Sequence, residues 1–198
     1  MHIRQPNQEL DYISHTRDVL VEFIQQPLPS ELPPCMNCKN HIPQDCTSKC
    51  KAAPAALSSD PIKFPLEKTV VPIVFELMST RVIQPCWSCE GHFNHLGELW
   101  KIPQINFYSD SPIYPQLLLR YLKSLSMQKR LSYEWHIVIA DFGQSWSFSY
   151  SLEPNLNGVS EPRLGNLQQD LTTISTDLCQ NLKSIAQKML DETKQMAS

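Results

Sequence analysis

The stretch SWSFSYSL, residues 145–152, has a serine at every second position and a large apolar residue after each one. Neighbouring side chains of a β-strand point to opposite faces, so this alternation places all the serines on one face. The other face carries Trp146, Phe148, Tyr150 and Leu152, and it needs a hydrophobic core to cover it. The stretch therefore predicts a sheet with one buried face.

Four other segments combine β-branched and aromatic residues with nearby turn signals, which is typical of strands. Asp141-Phe142-Gly143-Gln144 separates one of them from SWSFSYSL and is short enough to join an antiparallel pair. We therefore expect an α+β protein with a mostly antiparallel sheet of about five strands. The four additional strands are predicted at Val70–Met78, Arg81–Trp87, Trp100–Ser109 and Tyr133–Ala140.

Two amphipathic helices are predicted to cover the sheet. Apolar residues at steps of three and four from Leu164 to Met189 predict one long C-terminal helix. Ser111 followed by Pro112 begins the other helix, which spans residues 112–127. The long helix exceeds the strands in length, so its end can extend past the sheet and join two copies as a homodimer. Packing over the chain's own sheet is the favoured role.

Changes in composition divide the 198 residues into three parts. Residues 1–26 form an N-terminal helix, which is predicted at Asn7–Gln26 and ended by Pro27. Residues 27–66 are proline-rich linkers around a cysteine-rich module, and residues 67–198 are the α+β core domain. This length suits one hydrophobic core with a small appendage.

Composition and charge argue against several classes of protein. A hydrophobic fraction of 41% is ordinary for a globular chain, and a formal net charge of −3 lacks the basic excess that nucleic-acid phosphates require. No apolar run reaches the length of a membrane span, and the N-terminus lacks the apolar core of a secretory signal. We therefore expect a cytoplasmic protein, in a reducing compartment where closely spaced cysteines bind metal or act in redox chemistry.

The first cysteine cluster lies in the linker region, where only Met36 and Ile42 are apolar between the outermost cysteines. Such a stretch cannot bury a core of its own, but a tetrahedral metal site would supply its folding free energy. We predict a structural zinc site there, with disulfides or free thiols as alternatives, and His41 can replace one sulfur. The four predicted ligands are Cys35, Cys38, Cys46 and Cys50.

The second cluster is CWSCEGHFNH, residues 86–95, in which two thiols and two imidazoles recur at every third position. Side chains three residues apart fan around a helix and alternate across a strand, so neither element brings all four together. Gly91 can supply the necessary turn by adopting a positive φ. We predict a strand as far as Trp87, a sharp loop at 88–91 and a new chain direction after His92.

Metal binding is the leading interpretation of this second cluster. Cys86, Cys89 and His92, with or without His95, provide soft and borderline ligands for zinc. Together with the upstream cysteines they suffice for two zinc sites, and zinc is favoured over an iron–sulfur cluster. If His95 is not a ligand, the open position can hold an activated water with Glu90 as its proton acceptor.

Three other uses of the second cluster stay open. In a thiol mechanism Cys89 is the nucleophile, and His92 lowers its pKa. Glu90 or Asp141 then orients the imidazole. In a redox mechanism Cys86 and Cys89 cycle through a disulfide. In a purely structural role the cysteines are core residues and the histidines lie on the surface.

The segment Ser88-Cys89-Glu90-Gly91-His92 resembles a short motif of small bacterial and phage proteins whose function is unassigned. More loosely, it is similar to the Ser-Cys-Ser-Gly turn of the wybutosine-synthesis methyltransferase family. Glu90 stands in place of the second Ser of that turn, and His92 stands in place of the Arg that follows it. The second resemblance implies S-adenosylmethionine and tRNA as ligands, and both departures lie at the turn itself.

From these observations we predict a cytoplasmic zinc-binding protein whose principal site lies on the 86–95 loop. One alternative is an enzyme that uses Cys89, His92 and Glu90, with thiol or metal chemistry, on a small molecule or modified nucleotide. The other alternative is an interaction module, in which the metal sites are structural and the C-terminal helix contacts a partner.

Overall fold

The computed structural model describes residues 6–28, 66–142 and 148–196. Within these residues the chain forms helices and two antiparallel sheets, so the predicted α+β class is confirmed. The predicted cysteine-rich module falls outside them, and the structural zinc site there stays a prediction. Its four proposed ligands are Cys35, Cys38, Cys46 and Cys50.

The strands, in chain order, are β1 (Ile83–Cys89), β2 (His92–Phe93), β3 (Leu99–Lys101), β4 (Gln104–Ser109), β5 (Glu134–Phe142) and β6 (Phe148–Asn155). The main sheet has the order β1, β4, β6, β5, and every neighbouring pair is antiparallel. The two short strands β2 and β3 form a separate hairpin. This hairpin follows directly from the end of β1 and therefore lies at one edge of the main sheet.

Five helices occur in the described residues: α1 (Pro6–Gln25), α2 (Val71–Ser79), α3 (Ile113–Met127), α4 (Leu164–Ser175) and α5 (Leu178–Met196). They share one hydrophobic core with the inner face of the main sheet, to which Ile105, Phe107 and Leu152 contribute. The ring of Tyr150 stacks on Phe107 with ring centroids 5.5 Å apart. Tyr150 and Leu152 are therefore buried on one face of SWSFSYSL, as its alternation predicts.

The opposite face of the sheet, which we call the outer face, is more polar. Strand register places Trp87 opposite Asn106 and Asn106 opposite Ser151 on this face. Trp87 and Tyr108 are each 45% exposed, whereas the small side chains of Ser149 and Ser151 are buried. The sheet is thus covered by helices on one side and carries half-exposed aromatic rings on the other.

The prediction of a strand at Val70–Met78 is wrong, because these residues form most of helix α2. Pro72 lies in the first turn of the helix, where a backbone N–H would have no acceptor within the helix, so the absence of this group costs nothing. Ile73, Val74 and Leu77 are buried in the core, and packing outweighs the weak strand preference of β-branched residues. The main sheet consequently has one strand fewer than expected.

Two other predicted elements are interrupted. The single helix expected from Leu164 to Met189 is divided into α4 and α5 by a turn at Asp177, whose φ is 51°. The strand expected at Trp100–Ser109 is divided into β3 and β4 before and after Pro103, which has no N–H to donate to a ladder. The apolar spacing continues across both breaks, so periodicity alone does not show them.

The N-terminal helix belongs to the same core as the rest of the described chain. Leu20 and Phe23 of α1 are buried against it, and Lys183 of α5 donates hydrogen bonds to the carbonyls of Ile24 and Gln26. The apolar residues of α5 are used inside the chain, and dimerisation through this helix stays a prediction. Among the described helices, none is long and apolar enough to cross a bilayer.

Candidate metal site

The candidate site is built around a sharp turn at the end of β1. Cys89 is the last residue of β1, and His92 begins β2 only three residues later. Gly91 joins them with a φ of 86°, a left-handed conformation that glycine adopts without steric penalty. A Cβ at this position would lie 2.6 Å from Leu164 Cδ1 and 2.9 Å from Pro103 Cδ. The turn therefore requires glycine, as predicted, and it brings an imidazole next to a thiol.

Glu67 supplies the third side chain of the site from a segment that precedes α2. Its Oε1 lies 2.7 Å from His92 Nε2, within hydrogen-bond distance. Its Oε2 accepts a hydrogen bond of 2.6 Å from the backbone N–H of Glu90. A single carboxylate therefore contacts both the turn and the imidazole, which fixes the position of the histidine relative to Cys89.

Glu67, Cys89 and His92 form a group in which the three potential ligand atoms all lie within 4.8 Å of one another. Cys89 is 3% exposed, so its thiol lies on the interior side of the group. The side chains of His92 and Glu67 are 38% and 30% exposed, so solvent reaches the group from their side. Among the described residues, this is the one set of at least three His, Cys, Asp or Glu side chains with such spacing.

Burial raises the pKa of the Cys89 thiol above its ordinary value. The backbone N–H of Gly91, which donates to the sulfur at 3.4 Å, opposes this shift, as does the positive charge of Lys101. The carboxylates of Glu67 and Glu90 raise the pKa further, because they disfavour a second negative charge nearby. Without a cation at the site, Cys89 is therefore held as a neutral thiol.

Glu90 makes hydrogen bonds that stabilise the turn, and its role as a proton acceptor or orienting group stays a prediction. Its Oε2 accepts a hydrogen bond of 2.9 Å from the backbone N–H of Thr69, and its carbonyl oxygen accepts one of 3.1 Å from Gln168 Nε2. These bonds connect the turn to the segment before α2 and to α4. Glu90 thus holds the site in place, and it is Glu67 that contacts the imidazole.

Cys86 and His95 do not join the group that the structure brings together. Cys86 lies at a bulge in β1, where the register shifts between Pro85 and Trp87, and its thiol is free. His95 is exposed in the turn between β2 and β3. The side chain of Asp141, the other predicted orienting group, is not among those the structure describes.

Sequence reasoning found two members of the group and missed the third. Glu67 is separated from Cys89 by a whole helix, and no ligand-like spacing in the sequence singles it out. The predicted turn at Gly91 was the useful signal, because it brings Cys89 and His92 together.

Comparison with models of known protein families, with curated proteins and with solved structures found no match to this chain.

Proposed function

We propose that the protein binds a zinc ion through the thiolate of Cys89, the imidazole of His92 and the carboxylate of Glu67. The proposal is carried by one observation: three different ligand types, from the turn after β1 and from the segment before α2, lie within 4.8 Å of one another. Zinc in proteins is held by such sulfur, nitrogen and oxygen ligands, whereas magnesium and calcium prefer oxygen alone.

The spacing of the three side chains suits a small ion. Tetrahedral zinc, with bonds of about 2.0–2.3 Å, separates its ligand atoms by about 3.4–3.8 Å. The present ligand atoms lie within 4.8 Å of one another, and His92 Nε2 is 2.7 Å from Glu67 Oε1. A metal that replaces the proton between imidazole and carboxylate would move these two atoms apart and draw the sulfur inward.

The charges around Cys89 also favour a bound cation. Burial and two nearby carboxylates hold the thiol neutral, which is unfavourable for a free nucleophile of the kind the thiol mechanism needs. A coordinating thiol is deprotonated by the zinc itself, and one dication neutralises the thiolate and the Glu67 carboxylate together. The surroundings that suppress thiol reactivity therefore suit metal binding.

A zinc enzyme is the second candidate function, and one observation favours it. The described group has three protein ligands and a side that is open to solvent at His92 and Glu67. Structural zinc sites usually have four protein ligands, whereas catalytic ones keep three and leave a position for water or substrate. The metal-bound water would then be the reactive group. In the alternative of an interaction module, a fourth protein ligand closes the site.

Matched pairs of variants of the full chain test the zinc site. Glu67→Gln and His92→Gln should each lose one equivalent of zinc relative to the unaltered protein, measured by equilibrium dialysis. Glu98→Gln and His95→Gln change exposed side chains of the same types in the hairpin outside the group and should keep it. Each variant is compared with the unaltered protein, so any zinc bound by the cysteines at positions 35–50 contributes equally to both measurements. Equal zinc content in all four variants would refute the proposal.

Cobalt in place of zinc distinguishes the enzyme from the structural role. Cobalt(II) reports its coordination in its visible spectrum, and an open position accepts a small anion such as azide. A spectrum that changes on addition of azide supports the three-ligand site. A spectrum that azide leaves unchanged, in a protein that loses cobalt on Glu67→Gln, supports a closed structural site and contradicts the enzyme.

A further inference from the structure

A lysine lies beside the solvent-facing side of the candidate metal site. Strand register places Lys101 of β3 directly opposite His92 of β2, so their side chains lie on one face of the hairpin. The backbones are close as well, because a Cβ at Gly91 would lie 3.1 Å from the carbonyl oxygen of Lys101. Lys101 is exposed. Its side chain therefore begins next to the imidazole, on the side from which solvent reaches the group.

No carboxylate of the described residues neutralises the positive charge of Lys101. The lysine is in none of the four ion pairs that these residues form. Its charge nevertheless acts at the Cys89 sulfur, where it lowers the pKa of the thiol by more than the charge of Glu90 raises it. An ammonium group is thus close to the candidate metal position and can pair with an external anion.

A bulge in the hairpin helps to position this ammonium group. His92 pairs with Lys101 and Phe93 pairs with Leu99, so Trp100 is an extra residue on β3. The Trp100 ring is 66% exposed, and Lys101 Nζ lies 4.7 Å from its centroid. An aromatic face attracts a cation through its quadrupole. Trp100 is therefore a positioning residue for the flexible side chain of Lys101.

The charges at a metal-bound site would favour a ligand with one negative charge. The thiolate of Cys89 and the carboxylate of Glu67 together balance the two charges of a zinc ion. The carboxylate of Glu90 is also near, but its Oε2 accepts the backbone N–H of Thr69. Lys101 then favours an anion over a neutral molecule at the open position. A doubly charged phosphate would be repelled more strongly by Glu67 and Glu90.

We propose that the open position of the zinc site binds a small organic carboxylate, one oxygen of which coordinates the metal while the other accepts a hydrogen bond from Lys101 Nζ. The inference rests on the proposed zinc site and on its open position. Carboxylate oxygens are ordinary zinc ligands, and the two oxygens of one carboxylate can bind two partners at once. The exposed ring of Trp100, next to Nζ, offers an apolar surface to the rest of such a ligand.

The full-length protein loaded with cobalt(II) tests the inference with two matched probes, acetate and acetamide. The two molecules have the same shape, but only acetate is charged. Acetate should change the visible cobalt spectrum with saturation, and acetamide should bind at least about tenfold more weakly, the factor expected for a charge-assisted hydrogen bond. Glu67→Gln should abolish the acetate-dependent change, which shows that cobalt bound elsewhere does not contribute.

Variants of the lysine locate the acetate. Lys101→Gln should still bind cobalt, because the lysine is not a metal ligand, but should weaken acetate about tenfold and leave acetamide unchanged. Lys101→Arg restores the charge and should bind acetate within about threefold of the unaltered protein. Lys188→Gln removes an exposed lysine of α5 and should have no effect.

The positioning role of Trp100 has its own matched pair. Trp100→Leu should weaken acetate about threefold, because the ammonium group loses its aromatic contact. Phe93→Leu changes another exposed ring of the same hairpin and should leave acetate affinity unchanged. Both variants should keep the cobalt-binding stoichiometry, since neither residue belongs to the ligand group.

Failure of the inference and failure of the zinc site give different results. If Glu67→Gln binds as much cobalt as the unaltered protein, the zinc site is refuted and the inference falls with it. If cobalt binding depends on Glu67, two results refute the inference alone. They are a spectrum that acetate leaves unchanged and an acetate affinity that is equal in Lys101→Gln. Methyl phosphate, a dianion at about pH 8, would contradict the carboxylate class if it bound more tightly than acetate.

Discussion

Cys89 and Cys179 are both buried thiols, and a comparison of their surroundings separates a metal site from a packing position. They are 3% and 4% exposed, and burial raises the pKa of both. Each also has a glutamate nearby. For Cys179 this is Glu76, whose Oε2 accepts the backbone N–H of Cys179 itself at 3.1 Å. Burial and a nearby carboxylate are therefore common to both sites.

The two sites differ in whether an imidazole lies next to the thiol and in whether solvent reaches the ligand atoms. Cys89 has His92 close by, on a turn whose imidazole and carboxylate are partly exposed. Cys179 lies in the first turn of α5, with its sulfur 3.9 Å from the carbonyl oxygen of Ser79 at the end of α2. Among the described residues, no imidazole completes a group there. A buried thiol identifies a metal site only when other donors converge on it and an ion can reach it.

The largest expected effect is on zinc affinity. Cys89→Ser should weaken zinc binding at the proposed site by more than the roughly 10–100-fold that loss of an outer-shell partner costs, because a ligand itself is removed. Cys179→Ser should leave zinc affinity unchanged. Titration of each full-length variant against a chromogenic zinc indicator measures both. Equal weakening by the two substitutions would mean that Cys89 acts only through stability.

The turn that positions Cys89 gives the next largest effect. Gly91→Ala should destabilise the protein by about 2–5 kcal/mol, since it combines a left-handed alanine with overlap on Leu164 and Pro103. Gly97→Ala is the matched control, because its φ is 81° and nothing lies within 4 Å of an added Cβ. It should cost only about 1–2 kcal/mol. Denaturant unfolding measures the free energy of unfolding of both variants. Equal losses would show that Leu164 and Pro103 move aside for the added methyl group.

The reactivity of the two thiols toward iodoacetamide should differ in a pH-dependent way. Because the pKa of Cys89 is raised, its alkylation in metal-free protein should be slow near neutral pH and rise about tenfold per pH unit below that pKa. Zinc should block it. Cys179 should react only when the protein opens, with or without zinc. Tryptic peptides separate Cys89 from Cys179, and fragmentation of the peptide of residues 82–101 separates Cys89 from Cys86. Rapid alkylation of Cys89 at neutral pH would favour the thiol enzyme instead.

The smallest effect is a stability change at alkaline pH. The pKa of Cys179 is raised from its ordinary value of 9.0 to about 11, so the folded state keeps this proton longer than the unfolded state. The stabilisation is complete below pH 9 and is lost as pH rises through about 11, so stability falls across this window. Cys179→Ala should show a shallower fall in urea unfolding. An identical slope in the two proteins would contradict the assigned pKa.

Local patterns in the sequence were sufficient for much of the fold. The alternation of SWSFSYSL predicted a buried aromatic face, and Tyr150 and Leu152 lie in the core. The helix at 112–127 was predicted within one residue of α3 (Ile113–Met127). These elements depend on one-dimensional periodicity, which burial of one face imposes directly on the residues.

The errors occurred where neighbours distant in sequence decide the conformation. Val70–Met78 is a helix because the surrounding core accepts its β-branched residues, a choice that the segment itself does not encode. Asp177 ends one helix and starts another without breaking the apolar spacing. The same limit applies to the candidate site, where Glu67 lies next to Cys89 because α2 packs against β1.

The sequence by itself determined which chemical groups are available and where the chain has to turn, because residue type and local steric freedom act within a few residues. It placed a thiol and an imidazole on the two sides of Gly91. Only the tertiary structure decided that Glu67 completes the group and that Cys86 and His95 stand outside it. Donor atoms form a site when they lie within a few ångströms in space, and that distance is set by the packing of separate elements.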